Sequence, residues 1–260
     1  MVPPPPSLPA ALLGHAARDP EEPWLFYAEG WDWRWLPWGE LARRMEEEAA
    51  ELSTVVAAGT RVPFFYDAQP AAVIRDLAIQ AAGGVSAPSR TLTPWPPLPI
   101  PPSLPHRERG DVGGAVVVNA GRTVEMGAAE LVGMAERVGA EIQGSAKREI
   151  VVLGGPLDDP FERAMLSWAT VTGAAVVLEP NPEARVATAA WVRPTVFHGT
   201  PAEIAALRAW AEKEKRKKLP FRRLRTILVT GPEGLATEEE AFWVGRGVRV
   251  AVCPSKPSLP

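Results

Sequence analysis

The stretch AVVVNAGRTVEMGAAELV, Ala115 to Val132, contains an apolar run, a glycine turn and the start of a helical pattern. The apolar run is typical of a buried strand, and the pattern after the turn predicts a helix near residues 127–143. A strand, a turn and a helix N-terminus together can bind an anion, because free backbone N–H groups and the helix dipole point at it. The stretch is therefore either a phosphate-binding turn or an ordinary strand-to-helix turn.

The same alternation continues to the end of the chain. Apolar runs that resemble buried strands occur at residues 115–118, 149–153, 174–179, 194–198, 224–229 and 248–252, each separated from the next by a helical pattern. Continuous apolar strands between helices indicate a parallel sheet that is covered on both faces. The sequence thus predicts a two-lobed α/β fold of doubly wound, mostly parallel sheets, whose ligands would lie at the carboxyl ends of the strands.

Prolines divide the chain. The 29 prolines cluster at Pro3 to Pro6, in TPWPPLPIPPSLP (93–105) and in PSKPSLP (254–260), and such segments favour extended, unpaired backbone. The predicted organisation is an N-terminal lobe of helices and short strands (1–91), a proline-rich connector (92–108), a doubly wound lobe (109–253) and a proline-rich tail (254–260). In the first lobe Trp31, Trp33 and Trp35 alternate, so a strand would place them on one face, and a packed face is favoured over an exposed stacking surface.

Composition restricts the function. The chain has 260 residues, 46% of them hydrophobic, and a formal net charge of −3, which gives no bulk attraction to DNA or to anionic membranes. Cys253 is the single cysteine, so internal disulfides and multi-cysteine metal sites are excluded. The N-terminal residues lack the pattern of a secretory leader, and no apolar run is long enough to span a bilayer. We therefore expect a cytoplasmic protein with no membrane span.

Several phrases, in order, resemble the N-terminal domain of the adenylate-forming superfamily, which includes acyl-CoA synthetases, peptide-synthetase adenylation domains and luciferases. The phrases are WRWLPWGELARRMEEEAAEL, GTRVPFFYDAQPAAVIRDLAIQAAGGVSAPS, VVLGGPLDDPFERAMLSWATVTGAAVVLEP, WVRPTVFHGTPAEIAAL and LRTILVTGPEGLATEEEAFWVGRGVRV. The resemblance rests on the order and spacing of these phrases rather than on any one of them.

The resemblance implies acyl adenylation, in which a carboxylate attacks the α-phosphate of ATP with magnesium bound nearby. That chemistry needs a Ser/Thr/Gly-rich loop ending in Pro-Lys-Gly to cradle the phosphates, and a Tyr-Gly-x-Thr-Glu motif whose Glu holds magnesium. Neither motif occurs in this sequence. Where the loop should lie, the residues that remain to contact a phosphate are Asn119, Gly121, Arg122 and Thr123.

A remnant of the adenine site is the second candidate. TGPEGL begins at the position where family members contact adenine, which makes Thr230, Gly231, Pro232 and Glu233 the candidate contacts. No catalytic residue and no metal ligand are predicted. ATP or AMP with Mg²⁺ would bind only if residual activity is retained.

The sequence therefore favours a degenerate, non-catalytic homologue of the AMP-dependent ligases that acts as a binding, regulatory or scaffold protein in acyl or fatty acid metabolism. Its expected partners are a full-length ligase or an acyl-carrier protein. The alternative is one part of an acyl-adenylating ligase that a second chain completes.

Three other features allow both a functional and a structural interpretation. His198 ends a predicted strand, but Thr200 is its only nearby chemical partner in sequence, so a hydrogen-bonded structural histidine is favoured over a catalytic one. Cys253 has no obvious activating neighbour. The basic run EKEKRKKLPFRRLR, 212–225, is more typical of a solvated helix end than of a docking surface for an acidic partner.

Overall fold

A computed structural model describes residues 7–30, 32–89, 113–119, 122–142, 149–213, 221–230 and 234–252. The proline-rich segments at both termini lie outside these ranges, and so does the predicted connector.

The described residues form alternating helices and strands. Up to residue 89 these are α1 (Leu8–Arg18), β1 (Pro23–Glu29), β2 (Asp32–Pro37), α2 (Trp38–Ser53), β3 (Arg61–Phe65), α3 (Pro70–Ala81) and β4 (Val85–Ser89). From residue 114 they are β5 (Gly114–Asn119), β6 (Arg122–Gly127), α4 (Ala128–Ile142), β7 (Ile150–Leu153), α5 (Pro160–Thr172), β8 (Ala175–Leu178), α6 (Pro182–Val192), β9 (Val196–Gly199), α7 (Pro201–Lys213), β10 (Thr226–Val229), α8 (Thr237–Val244) and β11 (Arg249–Val252). The predicted α/β fold class is confirmed.

The helices that flank β8 begin and end at residues suited to those positions. Asp159 caps α5 by accepting hydrogen bonds from the N–H groups of Phe161 and Glu162 at 2.8 and 3.1 Å, and α5 ends at Gly173 with φ of 80°. A proline follows the capping residue at the start of both α5 and α6, where its missing N–H costs nothing. These local signals fix the limits of the helices.

The strands form two sheets. The larger has the order β11-β10-β9-β7-β8-β1-β2, and the smaller has the order β3-β4-β5-β6. All pairs are parallel except the β1–β2 and β5–β6 hairpins. Each sheet takes strands from both sides of the segment 92–108, so this segment does not separate one sheet from the other. The predicted lobe boundaries remain a prediction.

The interpretation of Ala115 to Val132 as strand, turn and helix is wrong in one respect. A second strand, β6, follows the turn and pairs antiparallel with β5, with Asn119 opposite Arg122. Helix α4 begins only at Ala128, six residues after the turn. Strand β6 therefore separates the N-terminal N–H groups of α4 from Asn119.

Two hydrophobic cores cover the faces of the larger sheet. Successive residues of β8 belong to different cores: Val176 lies in the core with α1, α4 and α5, and Val177 lies in the core with α6, α7 and α8. All four residues of β8 are buried, and the same is true of β9 and β10. This two-sided burial explains why these strands read as continuous apolar runs.

A buried ion pair joins α3 to α5. Arg163 donates to both carboxylate oxygens of Asp76, at 2.6 and 2.8 Å, and neither side chain is exposed. Gln80 donates to the same carboxylate at 2.9 Å, and Nε of Arg163 donates to the carbonyl of Leu157 at 3.1 Å. The ion pair thus links a helix before the predicted connector to one after it.

Arg163→Met should destabilise the fold by about 3–5 kcal/mol, because it leaves the Asp76 carboxylate buried without its cation. Urea unfolding followed by circular dichroism measures the loss. The double variant Asp76→Leu/Arg163→Met removes both charges and should unfold at a higher urea concentration than Arg163→Met. Arg43→Met, in an exposed ion pair with Glu40, is the control and should have a much smaller effect. An unchanged midpoint for Arg163→Met would contradict the structural role.

Candidate functional site

The carboxyl ends of β7, β8 and β9 are where a doubly wound sheet is expected to bind its ligand. In this protein a cluster of charged and polar side chains occupies that position. Glu162 comes from the first turn of α5, Arg185 from α6, His198 from β9 and Glu203 from α7. We call these four side chains the strand-end network.

Glu162 lies at the centre of the network. Its carboxylate accepts a hydrogen bond from Nε2 of His198 at 3.0 Å and from the N–H of Gly154 at 3.3 Å. Nη1 of Arg185 lies 3.7 Å from the same carboxylate. A side chain at Gly155 would collide with Glu162, so glycine is needed where the loop after β7 passes this carboxylate. The close approach of the loop helps to enclose the Glu162 carboxylate.

Arg185 connects the network to the sheet. It donates to Glu203 at 3.0 Å through Nη1, and through Nη2 to the carbonyl of His198 at 3.2 Å and that of Val152 at 3.5 Å. Its side chain is 8% exposed. Because a buried guanidinium needs carboxylate or carbonyl acceptors, these contacts hold α6 and α7 against the ends of β7 and β9.

The network controls the ionisation of Glu162. Burial by itself would raise the pKa of this carboxyl, but the charge and hydrogen bond of His198, the charge of Arg185 and the N–H of Gly155 outweigh it and hold the pKa at about 2. Glu162 is therefore ionised at neutral pH.

The network is enclosed. His198 is 2% exposed, and its Nδ1 atom finds no hydrogen-bond partner within the described ranges. A general base or a nucleophile must reach its substrate, whereas the side chains of Glu162, Arg185 and His198 are almost fully buried among the described residues. The arrangement holds compensated charges at the strand ends, and a structural role for His198 stays a prediction.

The residues predicted from sequence lie in different sheets. Thr230 follows β10 in the larger sheet, where its N–H donates to the carbonyl of Gly199 at 2.9 Å. Asn119, Arg122 and Thr123 lie in the β5–β6 hairpin of the smaller sheet. The remaining candidates lie outside the described residues: Gly121, Gly231, Pro232 and Glu233, together with Cys253 and residues 214–220 of the basic run. Their assignment as ligand contacts stays a prediction.

Sequence reasoning missed Glu162 and Arg185 because each appears in an ordinary helical pattern. A signal was present for Glu162, which comes shortly after Gly154 and Gly155 at the start of a capped helix. The partners of Glu162 are 23 and 36 residues away in the chain, at Arg185 and His198. Only the fold brings the three together.

Elsewhere in the described part of the chain, a groove of about 660 Å³ lies between α2 and α3 and beside the end of β3. Glu48 and Arg75, which line this groove, form an ion pair. Burial raises the pKa of Glu48 from its ordinary value, although the charge of Arg75 opposes that shift. None of the sequence-predicted site residues lines this groove.

Within the described ranges, no three His, Cys, Asp or Glu side chains are grouped so that they could hold a metal ion. Every helix found there is too short or too polar to cross a membrane.

Comparison with solved structures gives extensive similarity in fold. Residues covering 98% of this chain superpose on the nonribosomal peptide synthetase FmoA3 with a TM-score of 0.76 and 17% identity. The N-terminal domain of FACL13 from Mycobacterium tuberculosis matches 94% of the chain, with a TM-score of 0.73 and 11% identity. The fatty acyl-adenylate ligase from L. pneumophila, solved with acyl adenylate and pyrophosphate, also matches 94%, with a TM-score of 0.73 and 12% identity.

The fold is that of the N-terminal domain of adenylate-forming enzymes. The resemblance expected from the order of the sequence phrases is thus confirmed at the level of the fold. This chain spans 34% of the length of FmoA3, 53% of that of the L. pneumophila ligase and 74% of that of the FACL13 domain. No family model and no curated protein matches the chain.

In this adenylate-forming fold, Glu162→Gln should reduce stability most at neutral pH. The native pKa of Glu162 is depressed, so ionisation contributes stability above the unfolded pKa of about 4.5, and this contribution disappears as the pH falls towards 2. The difference from the wild type should be larger above pH 4.5 than at pH 3.

Urea unfolding at a series of pH values measures this difference. Glu46→Gln, at an exposed position of α2, is the matched control and should show no such pH dependence. A Glu162→Gln difference that stays constant between pH 3 and pH 7 would contradict the charge-based account.

Proposed function

We propose that this protein is a non-catalytic homologue of the AMP-dependent ligases that acts as a binding, regulatory or scaffold protein in acyl metabolism. The observation that carries the proposal is the β5–β6 hairpin. Asn119 pairs with Arg122, which leaves only Ala120 and Gly121 between the two strands.

A hairpin with a two-residue turn cannot supply a phosphate cradle of the kind that acyl adenylation needs. Such a cradle uses several backbone N–H groups, hydroxyls and a lysine to surround the β- and γ-phosphates. In β5 and β6 the residues from Gly114 to Asn119 lie opposite those from Arg122 to Gly127 in a regular antiparallel register. The hairpin therefore supports the proposal that this protein has lost the phosphate loop.

The strand-end network supports the same proposal from the larger sheet. An acyl chain at the carboxyl ends of β7 and β9 would have to displace Arg185 and Glu162 or lie against their charges. Both alternatives are costly, because burying an ionised group against hydrocarbon without its partner carries a penalty of several kcal/mol.

Pyrophosphate release tests the loss of activity. The pure protein is mixed with ATP, Mg²⁺ and a panel of carboxylic acids, and an active adenylate-forming ligase serves as the positive control. We expect no release above the buffer rate for any acid. Sustained release in proportion to the amount of this protein would refute the non-catalytic proposal.

Calorimetric titration with ATP and with AMP tests the candidate nucleotide contacts. Because the phosphate contacts are reduced to a short turn, we expect no saturable binding at micromolar nucleotide. Should saturation occur, Thr230→Val and Thr123→Val would show which sheet carries the site. Loss of binding in either variant would assign the corresponding predicted residues.

The alternative function is a part of an acyl-adenylating ligase that a second chain completes. It is supported by the fold, which is that of the N-terminal domain of adenylate-forming enzymes. If pyrophosphate release appears only when the protein is mixed with a ligase or an acyl-carrier protein, this alternative gains support. A change in the rate of an already active ligase would instead support a regulatory role.

A further inference from the structure

The outer edge of β2 is an open edge of the larger sheet. Within the described residues β2 pairs only with β1, and it is the last strand in the order of that sheet. An edge strand presents unpaired N–H and C=O groups that can pair with another strand. Many proteins protect such an edge with prolines, bulges or inward-pointing charges, whereas the one proline of β2 is its last residue, Pro37.

One face of β2 carries tryptophans. Trp33 stacks on Trp191 of α6, with ring centroids 5.2 Å apart and an interplanar angle of 17°. Trp35 is 56% exposed and Trp191 is 64% exposed. The sequence favours a packed face for the alternating tryptophans, and Trp35 departs from that expectation. The edge therefore exposes large apolar surface beside unpaired backbone, as interaction sites often do.

The opposite face of β2 carries charges in a self-complementary order. Successive residues of a strand point to opposite faces, so Asp32 and Arg34 share the face opposite Trp33. If β2 pairs antiparallel with a second β2 and Trp33 faces Trp33, each Asp32 comes opposite an Arg34 of the other copy. Both charge pairs then form at once, and opposite charges directly across a strand pair are stabilising.

The ion pair that Arg34 makes within its own chain does not prevent this exchange. Arg34 contacts Glu29 at 3.2 Å, and the two side chains are 56% and 68% exposed. Ion pairs at such exposure contribute little. Arg34 can therefore turn to a carboxylate of a second copy at little cost.

We propose that two copies of this protein associate through β2, as an antiparallel pair centred on Trp33. The two β2 strands then pair over residues 32–34 around a two-fold axis, which is the commonest symmetry of homodimers. On one face the two Trp33 side chains meet, each stacked on its own Trp191. On the other face lie two Asp32–Arg34 pairs.

A second copy fits this edge better than a nucleic acid strand does. Exposed tryptophans can stack bases, but binding of single strands also needs a positively charged groove. Here Arg34 lies between the carboxylates of Glu29 and Asp32, which are 3.2 and 4.0 Å from it. The local charge is not basic, whereas the charge order matches its own antiparallel copy.

Sedimentation velocity over a range of protein concentrations measures dimerisation. Variants in which the charges at residues 32 and 34 are reversed or exchanged test the proposal. The wild type should dimerise below about 100 μM. Arg34→Glu should raise the dimer Kd at least about tenfold, because it places two like-charge pairs across the axis. Asp32→Arg/Arg34→Glu restores opposite charges across the axis and should recover dimerisation. Arg18→Glu, at an exposed site on α1, is the control and should behave as the wild type does.

The register is tested separately by disulfide crosslinking in a Cys253→Ser background. Trp33→Cys should crosslink two copies under mild oxidation, because the two residues 33 face each other across the axis. Trp35→Cys should not, since the two residues 35 are separated by about four residues along the strands, or about 13 Å. Circular dichroism confirms that each variant is folded.

A wild type that stays monomeric at 100 μM would overturn the proposal. So would equal dimerisation of the wild type and Arg34→Glu, or crosslinking of Trp35→Cys in preference to Trp33→Cys. These outcomes do not depend on whether the protein releases pyrophosphate.

Discussion

The central strands β8, β9 and β10 are buried on both faces, and the rest of the structure depends on that constraint. A parallel strand without a solvent-facing side needs helices above and below it. Helices α1, α4 and α5 cover one face, and α6, α7 and α8 cover the other. With both faces closed, the carboxyl ends of the strands and the two sheet edges are the places left for interaction.

Helix α5 holds the two sheets together through two consecutive charged residues. Side chains of neighbouring residues on a helix point about 100° apart, so Glu162 and Arg163 reach different surroundings. Glu162 turns to the ends of β7 and β9, and Arg163 turns to Asp76 on α3. Both charges are buried, and both are compensated by a partner distant in sequence. The cost of an uncompensated charge in the core makes the position of α5 specific.

The fold was largely predictable, and the exceptions have physical reasons. The helical pattern near residues 127–143 leaves residues 122–127 between the turn and the helix, although Thr123 to Met126 alternate between polar and apolar as a half-buried strand does. The glycines on either side and the short length obscured that alternation. The candidate site was less predictable: Glu162, Arg185 and His198 come from three separate elements, and no local pattern relates them. The phosphate-contact candidates follow from the family resemblance. The register of the β5–β6 hairpin leaves only two residues between the strands.

Most of the alternation of strands and helices could be read from the sequence, with β6 as the exception. Burial periodicity, proline and glycine positions and capping residues act over a few neighbouring residues, and they can be read directly from the chain. The tertiary structure alone decided which strands are neighbours. It placed β1 beside β8 and β4 beside β5, across the proline-rich segment. It also enclosed Glu162 and left β2 as an edge. Strand order depends on packing contacts between residues that are far apart in the sequence. No short stretch of sequence specifies all of those contacts.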